Sequence, residues 1–348
     1  MVTPANDSGS TPSRPTITDI ARAAGVSIAV VSYALNNRPG VSVATRDRVL
    51  RIADEFGWRP SAAARSIRSG PHTVGIAVSG EPSAVARSTG FLDFLTAVQD
   101  TVSPRGLSLS MQIIESAEAA AVRYREWWAE RRFDLMIVPD LLTQDPRIEV
   151  LRRMHAPAVV VGPWGVAEGL ACVSFDEEAA GARVATYLLE LGHRHVAAVT
   201  APAGLHRTGV RVEALRRTVE GHGGRLVHHA TSASAEESAA ATRALLQDPL
   251  GITAVVYDSD RMAVAGLDVA RRSGVEVPWD LSIVAVGDSE LCRLATPAIT
   301  AMPMSAPDLG LVTGEAALAV LDGEADVNRL VAPGGVALRG STGPPSAR

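Results

Sequence analysis

The chain has 348 residues, 47% of them apolar and 20% charged, with a net charge of −5. That length predicts two or three domains with ample material for cores. Only Cys172 and Cys292 occur, far apart and without a CxxC spacing, which argues against a disulfide framework and for a reducing compartment. No apolar run approaches a membrane span, and the polar start MVTPANDSGSTPSRP has no apolar signal core. Residues 1–15 are therefore expected to be a disordered tail, and the protein to be cytoplasmic with no membrane partner.

The stretch Thr16–Gly70 reads as a DNA-binding headpiece, with a helix-turn-helix domain over 16–59. A first short helix is expected from Thr18 to Gly25, with Ile20, Ala21 and Ala24 on one face. Ser27 is a good N-cap for a second helix reaching about Asn36. Two short helices joined by a Gly-containing turn form the helix-turn-helix pattern. In the second helix Val30, Val31, Ala34 and Leu35 are expected to pack inward, leaving Ile28, Ala29, Ser32, Tyr33 and Asn36 outside. A third helix is expected after Ser42, with Thr45 in its first turn. Its Val49, Ile52, Ala53 and Phe56 fall at i, i+3, i+4, i+7 and share one face, with Gly57 as the stop. Pro60 then opens SAAARSIRSG, read as a hinge helix and linker over 60–72.

Charge agrees with this division. Residues 1–70 carry nine arginines against five carboxylates, a net +4, leaving −9 for the rest. A basic module on an acidic body suits a phosphate backbone as partner of the first segment only. Every basic residue is arginine, so phosphate contacts must come from guanidinium forks, hydroxyls, amides and helix N-termini.

From Thr73 onward strand-like and helix-like segments alternate, through TVGIAVS, LSLSMQII, DLMIVPD, APAVVVG, ACVSF, HVAAVTA, RLVHHA, TAVVYDSD and LSIVAVGDS. Continuous apolar strands alternating with helices predict parallel sheets covered on both faces. The length of this body, 73–342, predicts two α/β lobes, with 343–348 a short tail. Ligands bind open α/β sheets beyond the carboxyl ends of their strands. That rule nominates Val138–Asp140, Gly162–Trp164, Asp258–Asp260 and Gly287–Asp288.

The headpiece motifs TITDIARAAGVS, VSxxLN at Val31–Asn36 and RPSAAARSIRSG at Arg59–Gly70 resemble the LacI/GalR family of bacterial transcription regulators. Matches through the body follow in order: VSFDEEAAG at 173–181, LLELGHRHVA at 188–197, RVEAL at 211–215, SDRMA at 259–263, VPWDLSIVAV at 277–286, PAIT at 297–300 and LRGST at 338–342. The resemblance spans roughly 16–342. It implies two doubly wound parallel-sheet lobes resembling periplasmic binding proteins, with a small-molecule effector between them. It further implies a homodimer on a near-palindromic double-stranded operator, acting as a repressor. Thr18, Ser27, Ser32, Asn36, Ser42, Thr45 and Ser61 match positions on phosphates or the groove wall. Ile28 and Ala29 match base readers. Tyr33 stands where relatives often carry Arg, to donate one hydroxyl contact or to pack on a sugar. Ala64 and Ile67 match a hinge helix that enters the minor groove, with Ile67 as the wedge.

For the effector, the resemblance nominates Arg211, Asp260, Asp288 and Trp164. Arg211 and Asp260 are read either as ligand contacts or as a structural ion pair, and Trp164 as a ring-stacking or rim residue. Gly162 and Gly287 stand where sugar- and purine-responsive relatives often carry Asp, which removes two acceptors. No nucleophile elbow, Walker loop, HExxH or Rossmann glycine pattern is present, so no catalytic residue and no cofactor is expected. Six histidines lie between 193 and 229, and His193 follows the helix-ending Gly192, a structural position, so no metal site is expected. The other classes open to such lobes are an exported solute-binding protein, which needs a signal and no headpiece, and a sugar-acting enzyme, which needs a convergent nucleophile or acid–base pair.

Overall fold

The computed structural model describes residues 16–35, 38–56, 72–79, 89–163, 165–167, 169–202 and 204–346. Asn36, Ser61, Ala64, Ile67 and Trp164, Gly57, the 1–15 tail and nearly all of the expected hinge lie outside them. The chain divides into two compact units, Met1–Gly70 and Pro71–Arg348.

The first unit holds α1 (Ile17–Ala24), α2 (Ile28–Leu35) and α3 (Val43–Glu55). Helix α1 begins one residue earlier than expected because Thr16 and Asp19 form a reciprocal capping box. The Thr16 amide donates to Asp19 Oδ2 at 2.9 Å, and Asp19 N donates to Thr16 Oγ1 at 3.4 Å. Gly25, at φ +63°, closes the helix in the left-handed conformation that glycine adopts without penalty. Ile20, Ala21, Ala24, Val31, Ala34, Val49 and Ala53 make the mini-core, with Leu35 and Ile52 packed at its border. Phe56 departs from the expected buried stripe. It is the C-cap residue of α3 and is exposed, because the helix stops before its side chain completes the row.

The second unit carries two parallel sheets. The strands are β1 (Thr73–Ser79), β2 (Ser108–Ile114), β3 (Leu135–Val138), β4 (Ala158–Val161), β5 (Ala171–Phe175), β6 (His195–Thr200), β7 (Arg225–Ala230), β8 (Ala254–Tyr257), β9 (Ser282–Val286), β10 (Thr300–Met302) and β11 (Asn328–Val331). Their orders are β11-β5-β4-β3-β1-β2 and β10-β9-β8-β6-β7. The intervening helices are α4 (Thr89–Val102), α5 (Ala117–Ala129), α6 (Pro146–Met154), α7 (Glu177–Glu190), α8 (His206–Gly221), α9 (Ala235–Leu246), α10 (Asp260–Arg272), α11 (Glu290–Leu294) and α12 (Ala306–Leu321). Each sheet has an apolar cluster on both faces, which is why its central strands read as apolar runs, while the edge strands β2 and β7 carry polar residues and are partly exposed. Trp127 of the charged RYREWWAERR helix is buried in the first lobe, and Trp128 packs against the same cluster.

The lobes are discontinuous in sequence. The chain leaves the first lobe after β5, builds the second, then returns through α12 and β11, which pairs with β5. A last crossing brings Ala337 into an antiparallel bridge with Ala301 on β10. Ordered packing continues to Gly343, whose amide donates to Ser282 Oγ at 3.1 Å. Helix α12 seats on α4 through Gly310 and Gly314. A Cβ at Gly310 would lie 2.4 Å from the Phe94 carbonyl oxygen. Gly310→Ala is therefore expected to destabilise the first lobe by ~1–3 kcal/mol, the usual cost of overpacking, measured by denaturant melts of the full chain.

Candidate functional site

In the headpiece, Ser27 Oγ accepts the Val30 amide at 3.3 Å and starts α2. The helix then presents Ile28, Ala29 and Tyr33 to solvent, with Ser32 half-buried beside them. Ser42 accepts the Thr45 amide at 3.3 Å and donates to Thr45 Oγ1 at 2.8 Å, so these two hydroxyls fix the α3 N-terminus. Thr18 is exposed on α1.

In the body, the carboxyl ends of β3, β6 and β8 place charged residues of both lobes close together. The loop after β3 is fixed by a buried ion pair. Asp145 caps α6 and accepts from Arg147 Nε at 2.9 Å, from Arg147 Nη2 at 2.6 Å and from the Leu142 amide at 3.0 Å. Burial opposes the charged form of Asp145, but Arg147 and these amides hold its carboxyl below the usual range. Arg147 Nη2 also donates to the Asp140 carbonyl at 3.1 Å, holding Asp140 at φ +49°, a left-handed conformation Asp tolerates. So anchored, the loop reaches the second lobe. Thr143 N donates to Gly204 O at 3.2 Å, His206 N donates to Leu141 O at 3.1 Å, and Arg207 Nη2 lies 3.0 Å from Asp140 Oδ1.

Behind Arg207, one turn along α8, Arg211 is buried between two carboxylates. It donates to Glu177 Oε2 and to Asp258 Oδ1. Its expected partner Asp260 is elsewhere, half-buried in the first turn of α10 and accepting the Arg261 amide at 2.7 Å. The two open readings of Arg211 and Asp260 thus resolve into a third: Arg211 is an internal ion-pair residue, but with Glu177 and Asp258. The approach of α7 that delivers Glu177 depends on Gly181, where a Cβ would lie 2.4 Å from the Arg211 carbonyl oxygen. The two carboxylates titrate differently. Burial pushes Asp258 up, but Arg211, Arg207 and Thr208 pull its carboxyl below the usual range. Its other oxygen also accepts from Ala201 N at 3.1 Å and Thr208 Oγ1 at 2.9 Å. Glu177 has Arg211 as its one hydrogen-bond donor among the described residues, and burial prevails, raising its pKa.

Asp288, at the end of β9, is held by Arg339 at 2.8 Å, with Arg293 3.7 Å away. Gly287 has φ +96°, where an L side chain is strained. A Cβ at Gly162 would press on Leu141 at 3.0 Å. Backbone and packing thus account for the missing acceptors at both glycines. Sequence reading missed Arg207 and Glu177. Arg207 and Arg211 are four apart on one helix face, so spacing does not tell them apart, and α8 starts without a capping side chain that would have marked Arg207 as first-turn.

His193 is buried, with Nδ1 2.9 Å from Thr253 Oγ1 and Nε2 2.9 Å from the Gly343 carbonyl. Among the described residues no three His, Cys, Asp or Glu side chains converge as a metal site. Both cysteines are free and buried, and burial pushes each thiol up to about 11. Among the described residues no single helix is long and apolar enough to cross a membrane.

Removing Arg211 leaves two buried carboxylates without their cation. Arg211→Ala is expected to cost ~3–5 kcal/mol, the range for a broken buried pair. Unpaired, Glu177 and Asp258 would have folded pKa values above their unfolded ones, so the folded variant binds more protons. Its deficit should therefore shrink as pH falls from 8 to 5 and grow as pH rises. Parallel denaturant melts of wild type and variant check this.

Residues 16–61 match the family described as bacterial regulatory proteins, lacI family, and residues 185–342 match a periplasmic binding protein-like domain. The chain is 27% identical over 300 residues to the ribose operon repressor of Escherichia coli (strain K12), covering 85% of this chain and 89% of that protein. It is 29% identical over 299 residues to the transcriptional regulator CelR of Thermobifida fusca, covering 83% and 86%. The fold matches that of the Lac repressor dimer bound to operator and anti-inducer, with a TM-score of 0.85, 22% identity, and coverage of 95% of this chain and 100% of that one. With a helix-turn-helix unit, a two-lobed parallel-sheet body and these relatives, the chain belongs to the LacI family of bacterial regulatory proteins, which are DNA-binding transcriptional regulators and not enzymes.

Proposed function

We propose that this protein is a cytoplasmic, ligand-responsive repressor that binds a near-palindromic operator as a homodimer, with a small-molecule effector between its lobes. Carrying the reading is one observation: a helix-turn-helix unit with an outward Ile28–Ala29–Tyr33 face joined to a body whose strand ends converge across two lobes. Thr18, Ser27, Ser32, Asn36, Ser42, Thr45 and Ser61 are assigned to phosphates and the groove wall, and Ala64 and Ile67 to the minor groove. A hinge as short as 60–72 is a marginal helix alone, so it can order on DNA and respond to the lobes.

The effector contacts are reassigned from the sequence-based set. Arg211 is committed to internal carboxylates and Asp288 to Arg339. Arg207 and Asp140, half-exposed across the gap between lobes, replace them, with Asp260 and Trp164 retained. A charged pair in place of Asp acceptors suits an effector with a charged group better than a neutral polyol. Footprinting of the full chain on genomic DNA should give protected near-palindromes; protection without dyad symmetry contradicts the dimer reading. Calorimetry should give no binding of common neutral hexoses, and micromolar affinity for one would overturn the effector assignment. Ile28 and Ala29 have no polar group, so their base partner is the thymine methyl. Replacing the contacted thymines by uracil should weaken operator binding by more than ~0.5 kcal/mol, against ~1–3 kcal/mol for a mismatched pair. A titration with a smaller effect removes the methyl reading.

A further inference from the structure

The outer face of α2 lacks a guanidinium, yet one stands beside it. Arg38, three residues past the helix end, has its Cζ 5.9 Å from the centroid of the Tyr33 ring, within cation–π range. Two hydrogen bonds to its own backbone hold it there. The Arg38 amide donates to the Tyr33 carbonyl at 2.9 Å, and Arg46 Nη2 donates to the Arg38 carbonyl at 2.7 Å. Gly40, at φ +102°, turns the chain beside the same ring, where a Cβ would lie 4.0 Å from Tyr33 Cδ2. Both Tyr33 and Arg38 are exposed, and among the described residues the Arg38 guanidinium has no carboxylate partner.

Stacking engages the face of a guanidinium and leaves its in-plane N–H groups available. A side chain already held by a ring also loses less freedom when it binds. Simple charge contact with a phosphate needs neither feature. A bidentate contact does, whether to a phosphate or to the planar acceptor pair that guanine offers in the major groove through O6 and N7, and α2 itself carries no side chain that could take that pair.

We infer that Arg38, held on Tyr33, is a specificity-determining residue that reads a guanine in each half-site, with Arg46 as its positioning residue. This rests on the reading that α2 enters the major groove. It gives Tyr33 a role through its ring face rather than its hydroxyl.

The test is selection of the full-length protein on a random duplex library, followed by titration of single-base variants at several salt concentrations. Wild type should enrich a motif with one guanine per half-site, preferred about tenfold or more over other bases. Arg38→Ala and Tyr33→Leu should lose that preference while keeping the rest of the motif, and Arg38→Lys, which keeps donors but not the planar fork, should weaken it. Tyr33→Phe, which keeps the ring face, should retain it. Thermal melts should place all four variants with wild type. Guanine preference surviving in Arg38→Ala overturns the inference, as does a motif with no guanine. Uniform weakening of Arg38→Ala on all sequences, with a salt slope shallower by about one contact, makes Arg38 a phosphate residue and also overturns it. If no motif is enriched, the sequence-specific DNA-binding reading fails with it.

Discussion

The second lobe is organised around a buried guanidinium. Arg211 draws α7, α8 and the end of β8 together, because both of its carboxylate partners would otherwise be buried charges. The arrangement is tight in backbone as well as charge. Gly181 lets α7 rest on the Arg211 carbonyl, and Thr208 and Ala201 complete the hydrogen bonds of Asp258. With the first turn of α8 fixed this way, Arg207 is carried to the gap between lobes. The first lobe mirrors the device: buried Arg147 and Asp145 fix the loop that presents Asp140. In each lobe a buried ion-paired group positions one exposed member of the pair that spans them.

Much of this fold was legible in the sequence, for physical reasons. Strands covered on both faces must be apolar, so the central strands among β1 to β9 announced themselves, and the edge strands β2 and β7 were legible from their place in the strand–helix alternation. Headpiece helices were legible from caps: Ser27 and Ser42 both cap as expected. The Thr16 start was also available, since Thr16 and Asp19 have capping-box spacing, but Thr18 competes as a cap on composition alone. The return through α11, β10, α12 and β11 was not assigned. Its strands are the three-residue TAM of β10 and the largely polar NRLV of β11, neither of which makes an apolar run, and they pair with β9 and β5.

The site was less legible than the fold. Strand ends nominated Asp140 and Asp258, which follow β3 and β8 and carry the ion pairs described, because that rule depends on topology, which apolar runs reveal. Partners were not, because Glu177 and Arg211 are 34 positions apart and meet only through helix packing. The choice between Asp258 and Asp260 turned on two residues at a strand–helix junction. There Asp258 still points with the sheet, while Asp260 has entered α10 and bonds its own backbone.

The contacts that span the lobes set a scale for regulation. Arg207 and Asp140 are 51% and 40% exposed, so their pairing is worth at most ~1 kcal/mol. The two backbone bonds between Leu141–Thr143 and Gly204–His206 add ~0.5–1.5 kcal/mol each. The direct link is therefore a few kcal/mol at most, comparable to the ~1–3 kcal/mol by which allosteric sites are ordinarily coupled. An effector that engages Arg207 or Asp140 competes with the other member of the pair, and only its differential affinity for the two lobe arrangements counts. A weak protein-made link suits that task. Were this pair buried like Arg147 and Asp145, breaking it would cost more than a small ligand's differential contacts supply. The exposure of the spanning pair, set against the burial of the pairs that hold it, separates the part of the body that must stay fixed from the part free to move.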